Sequence, residues 1–286
     1  MGILSGQEFN DMNDNDNTAR ADRPPVVLAI ETSSRIGSVA MAVGGQVVEQ
    51  STFSTPMQHS AEILPSIEGL LSRHRQTTEN VVQIHIAAGP GSFTGLRIAV
   101  AMAKAMHLAQ GVRIVTVDSL DVVVANLGNS VEPAPGEPRT APVPDRIAAL
   151  FDAKRGQFYA SVYDLVPVDR EPPCDTTEET PGYEIPALNG GIWRKIHPDS
   201  LMTAREILEG FAGERLLGLL GDGLLYHRDE FVQTGTTVLP ERYWSPQAAN
   251  VYQLGRQKAL AGRFADPLSL IPFYLRAPHV TLKTRP

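Results

Sequence analysis

The residues best suited to chemistry lie in a glycine-rich string, GPGSFTGLR, which spans 89–97 between a strand-like apolar run and a helical pattern. Glycines let backbone amides approach a ligand, and a helix N-terminus offers unpaired amides to an anion. The string matches neither the P-loop pattern nor the dinucleotide pattern. It predicts a phosphate or carboxylate site, or alternatively a tight turn that fits the helix onto the sheet. The residues expected at the anion are Gly89, Gly91, Ser92, Thr94 and Gly95.

A second polar group follows the first apolar run of the chain. Glu31, Thr32 and Ser33 come directly after that run, at the strand end where ligands of α/β sheets commonly lie. Asp152 and Asp222 follow two other strand-like runs, so three carboxyls are placed to converge on a metal-bound nucleotide. The alternative is turn chemistry, because Ser, Thr and Asp side chains bond to nearby backbone groups.

Other catalytic centres are disfavoured by the spacing of the candidate residues. The seven histidines, at 59, 74, 85, 107, 197, 227 and 279, include no pair three or four apart, so no helical metal pair is predicted. The segment 91–95 places its serine one position early for a GxSxG nucleophile elbow. One cysteine, Cys174, excludes an intramolecular disulfide and a zinc site built on several cysteines.

These residues are carried by a mixed α/β pattern. Gly44-Gly45 predicts a two-residue hairpin turn, and Ser60 is placed to cap a helix with apolar residues at helical spacing. Strands are predicted at 26–30, 36–43, 46–53, 81–88, 112–117, 147–151 and 157–165, and helices at 60–74 and 94–110.

The second helix carries two apolar faces. Leu96, Val100, Ala103 and His107 form one face, and Ile98, Met102, Ala105 and Ala109 form the other. Two such faces predict burial on two sides, one against the sheet and the other against the first helix or a partner subunit. The residues expected at a partner interface are Ile63, Leu64, Ile67, Leu71, Ile98, Met102, Ala105 and Met106.

Length and composition predict a globular protein of one large domain or two lobes. Residues 1–24 are acidic and poor in large apolar side chains, which predicts a flexible tail. A lobe at 25–127 is followed by a proline-rich linker or loop at 128–146 and a second lobe at 147–286, with an exposed insertion at 167–186. Each lobe begins with a strand that ends in an acidic residue and continues into a hairpin, which suggests an internal repeat.

The charge and the apolar stretches exclude several function classes. The net charge of −7 disfavours autonomous binding to nucleic acid, although a basic partner could bring RNA close. No stretch reaches the roughly 18 apolar residues of a membrane helix, and the first residues do not resemble a secretory signal. We therefore expect a cytoplasmic protein.

Six blocks of this sequence resemble the bacterial TsaB/YeaZ family, in that family's order, between about residues 26 and 276. The string at 89–97 is close to diagnostic. The blocks are VLAIETSSRIGSVAMA (27–42), HSAEILPSIEGLL (59–71), AAGPGSFTGLRIAVAMAKAM (87–106), FDAKRGQFYASVY (151–163), GDG (221–223) and PFYLR (272–276).

The resemblance implies an α/β, two-lobed actin-like ATPase fold of the ribonuclease H-like class. It also implies a non-catalytic subunit that supports the catalytic paralogue TsaD in transferring a threonylcarbamoyl group to adenosine 37 of tRNA. The ATPase TsaE joins that complex, and the family self-associates through the same first-lobe helices. The resemblance implies that no cofactor is required and that any binding of ATP or ADP is weak. It also implies that the chain contacts tRNA only through the complex.

Two features refine the resemblance. The paralogue carries a HxxxH metal pair on the helix that here begins at His59, whereas position 63 is isoleucine, so a ligand of the activating metal is missing. The first-strand acid is Glu31 where the family usually has Asp, which weakens the nucleotide prediction. Two other functions stay open: an active ATPase or phosphotransferase, and, ranked last, a peptidase. Whether Lys154 and Arg155 contact tRNA or face solvent is also open.

Overall fold

The structure, a computed structural model, describes residues 24–128, 144–167, 183–187, 190–213 and 215–276. Two sheets organise these residues, one of five strands and one of six. The tail and most of the proline-rich linker and of the polar insertion predicted from the sequence lie outside the described residues.

The first sheet is built from five strands in the spatial order β3-β2-β1-β4-β5. β1 pairs antiparallel with β2 and parallel with β4, and Val43 and Gln46 face each other across the predicted two-residue turn. The apolar runs and the glycine pair therefore specified this sheet as expected. The strands are β1 (Val26–Glu31), β2 (Ser38–Val43), β3 (Gln46–Thr52), β4 (Val81–Ala87) and β5 (Arg113–Val117).

Two helices pack on one face of this sheet. In α1 (His59–Arg73), Ile63, Ile67, Leu70 and Leu71 recur at helical spacing and are all buried. α2 (Phe93–Gln110) begins after Ser92, whose Oγ accepts a hydrogen bond from the amide of Gly95, and ends at Gly111 in the left-handed region.

The second sheet has the spatial order β11-β10-β6-β7-β9-β8. Its central hairpin pairs β6 with β7 antiparallel, as the repeat of the first opening predicts, while β10 lies parallel to β6. Its strands are β6 (Arg146–Asp152), β7 (Gln157–Pro167), β8 (Ile185–Pro186), β9 (Gly191–Thr203), β10 (Leu217–Leu220) and β11 (Thr236–Val238).

The remaining helices follow the first sheet in the chain, and two of them connect it to the second. They are α3 (Ser119–Val124), α4 (Ala204–Phe211), α5 (Leu224–His227) and α6 (Ala248–Leu260). α6 follows the second sheet in the chain but packs on β1, β2, β4 and β5, while α3 packs on β6. Buried Asn250 donates hydrogen bonds to Val122 O and to Asn126 Oδ1, which ties α6 to the segment after the first sheet.

A buried ionic cluster also joins the two sheets. The Lys195 ammonium on β9 lies 2.8 Å from Asp121 on α3 and 2.7 Å from Asp199. Tyr163 and Tyr183 donate hydrogen bonds to the two carboxylate oxygens of Asp121, at 2.7 and 2.6 Å. Because a buried charge is costly unless it is paired, each member depends on the others.

The helices give no evidence of membrane insertion. Across the described residues, every helix is too short or too polar to cross a lipid bilayer.

Candidate functional site

A cleft between the two sheets holds a cavity of about 490 Å³. Three connections build its walls: the turn after β1, the glycine-rich string before α2, and the turn between β6 and β7. Each follows a strand at the same edge of its sheet, which explains why polar residues distant in sequence meet there. Six residues predicted from the sequence line the cavity, namely Ser33, Gly91, Ser92, Thr94, Asp152 and Asp222.

The Glu31 carboxyl lies at the end of β1 and is fully buried. Its Oε1 accepts hydrogen bonds from the amide of Ser33 at 2.5 Å and from the Ser33 hydroxyl at 2.6 Å. Its Oε2 is buried with no hydrogen-bond partner among the described residues. Burial raises the pKa of Glu31 to about 7 because it penalises the charged form, although the Ser33 hydrogen bonds oppose the rise.

The pKa values of the other two predicted acids shift in opposite directions. Burial raises the pKa of Asp222 to about 6, although this carboxylate accepts a hydrogen bond from the Arg35 amide at 3.3 Å. Burial also acts on Asp152, but hydrogen bonds from the amide and ammonium of Lys154 outweigh it and hold the pKa of Asp152 below its usual value. Asp222 interacts electrostatically with both other acids. Glu31 is not among the residues that line the cavity, however, and the described residues offer no group of three such side chains arranged to hold a metal ion.

The glycine-rich string packs the start of α2 against the turn after β1. A Cβ on Gly95 would lie 1.8 Å from Thr32 O, and one on Gly91 would lie 2.4 Å from Ser33 O. Ser92 donates its amide to Ser33 O at 2.7 Å, and Thr32 Oγ1 donates to Gly95 O at 2.8 Å. These contacts favour the tight-turn interpretation at Gly95, while the Ser92 and Thr94 side chains still line the cavity.

The remaining predicted residues lie behind the cavity wall. Glu31 and Thr32 are fully buried, and the backbone of Gly89 lies against Phe273 O. Several residues that line the cavity were not predicted from the sequence, because their spacing in the chain does not link them to the predicted site residues. Arg35 ends the polar turn that begins at Glu31 and was the one with a signal; the others are Met57, Phe93, Tyr159 and Tyr226.

The predicted partner interface needs a correction. Ile63, Ile67 and Leu71 are buried in the core of the first sheet and its helices, so they cannot face a partner. They lie on the inner face of α1 because their spacing places them over the sheet. The side chains left at the surface, which we call the docking face, are Leu64 on α1 and Ile98, Met102, Ala105 and Met106 on α2.

The second apolar face of α2 is open rather than buried. Leu96, Val100 and Ala103 face the core as predicted, whereas Ala105 and Ala109 are exposed and Met102 is partly exposed. α1 contacts α2, and Ile98, Met102 and Met106 are partly buried against the core of the first sheet, so this side is only partly covered.

The helix that carries a metal pair in the paralogue offers one imidazole here. His59 is buried, and its Nε2 bonds to Ser34 O at 3.0 Å. Burial lowers the pKa of His59, which favours the neutral ring. One turn along, Ile63 presents a hydrocarbon side chain to the core. In the part of the chain that the structure describes, no group of three or more His, Cys, Asp or Glu side chains is arranged to hold a metal ion.

Comparisons with known proteins find a TsaD family model and relatives named TsaB. Residues 47–184 match a family model described as "TsaD: tRNA N6-adenosine threonylcarbamoyltransferase". The Bacillus subtilis (strain 168) protein named tRNA threonylcarbamoyladenosine biosynthesis protein TsaB is 24% identical over 254 residues, which cover 87% of this chain and 93% of that protein. The Escherichia coli (strain K12) protein of the same name is 28% identical over 137 residues, 48% of this chain and 54% of that protein.

The resemblance to the TsaB (YeaZ) family is confirmed. Two solved structures extend it to the fold. "YeaZ from Pseudomonas aeruginosa" superposes with a TM-score of 0.65 at 19% identity, covering 88% of this chain and 100% of that one. A protein described as uncharacterized "with similarity to peptidase YEAZ from Pseudomonas aeruginosa" gives 0.66 at 20% identity, with the same coverage. The chain therefore has the two-lobed actin-like α/β fold that the TsaB resemblance implies.

Proposed function

We propose that this chain takes part in forming N6-threonylcarbamoyladenosine on tRNA, as a non-catalytic subunit that pairs with a TsaD-like catalytic subunit. Its curated relatives are named as TsaB proteins of threonylcarbamoyladenosine biosynthesis, and its central segment matches a threonylcarbamoyltransferase family. These names support the pathway.

The observation that carries the non-catalytic role is the pair His59 and Ile63. The resemblance places the metal pair of the catalytic paralogue at these two positions. Here the first imidazole is buried and hydrogen bonded to the backbone, and the second position holds a core hydrocarbon. Isoleucine has no atom that can ligate a metal, so the site that activates the transfer step cannot be completed from this helix.

The docking face supports the pairing role. Leu64 has 51% of its surface exposed, and the neighbouring α2 adds Ile98, Met102 and Met106, all partly exposed. Contiguous exposed apolar side chains on two adjoining helices are typical of protein interfaces. We propose that a TsaD-like subunit covers this face in the complex, that a second copy of this chain covers it in isolation, and that a TsaE-like ATPase binds the assembled pair.

Substitution on the docking face tests the pairing. Met102→Glu places a charge where the partner would pack, so the heterodimer Kd should rise at least about 100-fold, since leaving a charge unpaired in an interface costs several kcal/mol. The thermal stability of the isolated chain should stay within a degree or two, because Met102 is partly exposed. Leu268→Glu is the matched control, since Leu268 is 88% exposed and lies outside the docking face.

Two outcomes contradict the pairing proposal. One is an unchanged heterodimer Kd for Met102→Glu. The other is a tRNA modification assay, reconstituted from purified subunits, that runs at the same rate when this chain is omitted. Self-association of the isolated chain should weaken together with heterodimer formation, because both use the same face.

An active ATPase or phosphotransferase is the second candidate, favoured by the cavity and its hydroxyl groups. Titration calorimetry with ATP and Mg²⁺ tests it: micromolar binding by the isolated chain, weakened by Glu31→Ala, would support this function over the scaffold. A peptidase has less support. Among the described residues, no histidine is hydrogen bonded to a serine hydroxyl, so the arrangement that activates a serine nucleophile has no candidate pair.

A further inference from the structure

The mouth of the cleft differs in charge from the rest of the molecule. Two cationic side chains, Arg35 and Lys154, line it. Three more adjoin lining residues: Arg97 lies over Phe93, Arg155 follows Lys154, and Arg276 donates to Ala153 O. The three acids of the cleft are Glu31, Asp152 and Asp222. The formal local charge is therefore +2, in a chain whose net charge is −7. We call this cationic set the cleft rim: Arg35, Arg97, Lys154, Arg155 and Arg276.

The acids of the cleft cancel only part of this positive charge. Burial raises the pKa of Glu31 to about 7 and that of Asp222 to about 6, so part of their negative charge is absent near neutral pH. The Lys154 ammonium is paired with Asp152, but its side chain is 76% exposed and keeps donors free for a second anion.

The cations of the rim are interleaved with aromatic rings. The Arg35 guanidinium lies 5.2 Å from the centroid of Tyr226 and also hydrogen bonds to the Tyr226 hydroxyl. On the other side of the cavity, the Arg97 guanidinium lies 3.8 Å above Phe93 and donates to the Tyr274 hydroxyl at 3.1 Å. Phe93 and Tyr274 are themselves in contact, with ring centroids 5.2 Å apart.

Backbone conformation and hydrogen bonds position the residues of the cleft rim. Lys154 and Arg155 adopt left-handed backbone angles, with φ of 65° and 61°, at the tip of the β6–β7 hairpin. Arg276 donates to Ala153 O at 2.6 Å and so fixes the C-terminal segment against the same hairpin. Preorganised cations and rings lose less entropy when they bind than mobile ones do.

This combination matches the chemistry of an unpaired RNA segment. Phosphates bind to arginine and lysine, while unstacked bases stack on aromatic rings and guanidinium planes. We propose that the cleft rim contacts an unpaired segment of the tRNA in the complex with the catalytic subunit, with Arg35 and Lys154 on phosphates and Tyr226 beneath a base. The net charge of −7 explains why this contact needs the complex. The inference rests on the proposed function.

The experiment measures tRNA binding by the complex of this chain with its TsaD-like subunit. The probe is a fluorescently labelled, unmodified transcript of a tRNA that reads a codon starting with A, titrated at several salt concentrations. The Arg35→Gln/Lys154→Gln double variant should raise Kd about tenfold and reduce the salt slope by about 2, since each lost phosphate contact removes about 1. Tyr226→Leu should raise Kd about fivefold or more and leave the salt slope unchanged.

A matched control separates the rim from general charge. Arg205→Gln removes a cation from α4 that is 83% exposed and lies outside the cleft rim, and should leave both Kd and the salt slope unchanged. Each variant should still pair with the catalytic subunit, because none of these residues belongs to the docking face.

Three results overturn the inference alone. The first is an unchanged Kd and salt slope for the double variant in an intact complex, which leaves the proposed function standing. The second is a loss of tRNA affinity in Arg205→Gln that equals the loss in the double variant. The third is a double variant that loses ATP binding while keeping tRNA binding, which would make the cleft a nucleotide site. A chain that fails to pair with the catalytic subunit at all overturns both the inference and the proposed function.

Discussion

Replacing Glu31 by glutamine should make this protein more stable at pH 8 and leave it nearly unchanged at pH 5. Glu31 is fully buried, and burial raises its pKa from 4.5 to about 7. The two Ser33 hydrogen bonds reach Oε1, which an amide oxygen can replace, and Oε2 has no partner to lose among the described residues. The variant therefore keeps the contacts and removes the charge.

The size of the effect follows from the difference between the folded and unfolded pKa. One unit of pKa is worth about 1.4 kcal/mol, so the rise to about 7 corresponds to about 3 kcal/mol. The folded protein holds the proton more tightly than the unfolded chain does. The contribution of this tighter proton binding to stability is thus complete below pH 4.5 and is lost as the pH rises through about 7. At pH 8 the wild-type protein is destabilised by its buried carboxylate, whereas the glutamine variant has no charge at this position.

Urea denaturation at pH 5 and pH 8 measures the free energies of unfolding. The variant should exceed the wild-type protein by about 3 kcal/mol at pH 8 and by less than about 1 kcal/mol at pH 5. Glu68→Gln, an exposed carboxyl on α1, is the control and should show no such difference between the two pH values. A stability difference that is the same at both pH values, or a glutamine variant that is less stable at pH 8, would refute the reasoning.

Two further substitutions test the packing and the junction of the sheets by the same unfolding measurement. Gly95→Ala should destabilise by about 3 kcal/mol because its Cβ would collide with Thr32 O, whereas Gly111→Ala, with open space around it, should cost about 1 kcal/mol. Lys195→Met should cost about 3–5 kcal/mol because it leaves buried Asp121 and Asp199 without their cation. A Lys195→Met protein as stable as Arg205→Ala, whose ion pair is exposed, would contradict the role of the ionic cluster.

The sequence by itself determined the local elements and the family resemblance. Apolar runs specified the strands of the first sheet, the glycine pair at 44–45 specified the first hairpin, and helical spacing specified α1 and α2. These patterns are short-range, so the residues that carry them are neighbours in the chain. The string at 89–97 and the five other blocks sufficed for the resemblance that the comparisons confirm.

Only the tertiary structure decided which of these residues meet. Periodicity marks an apolar face without saying what covers it, so Ile63 and Met102 looked alike in sequence although one is in the core and the other at the surface. Nothing in the spacing connects Arg35 to Tyr226, which lie 191 positions apart and touch across the cleft. Contacts of that kind depend on how two sheets pack, and packing is a property of the whole chain.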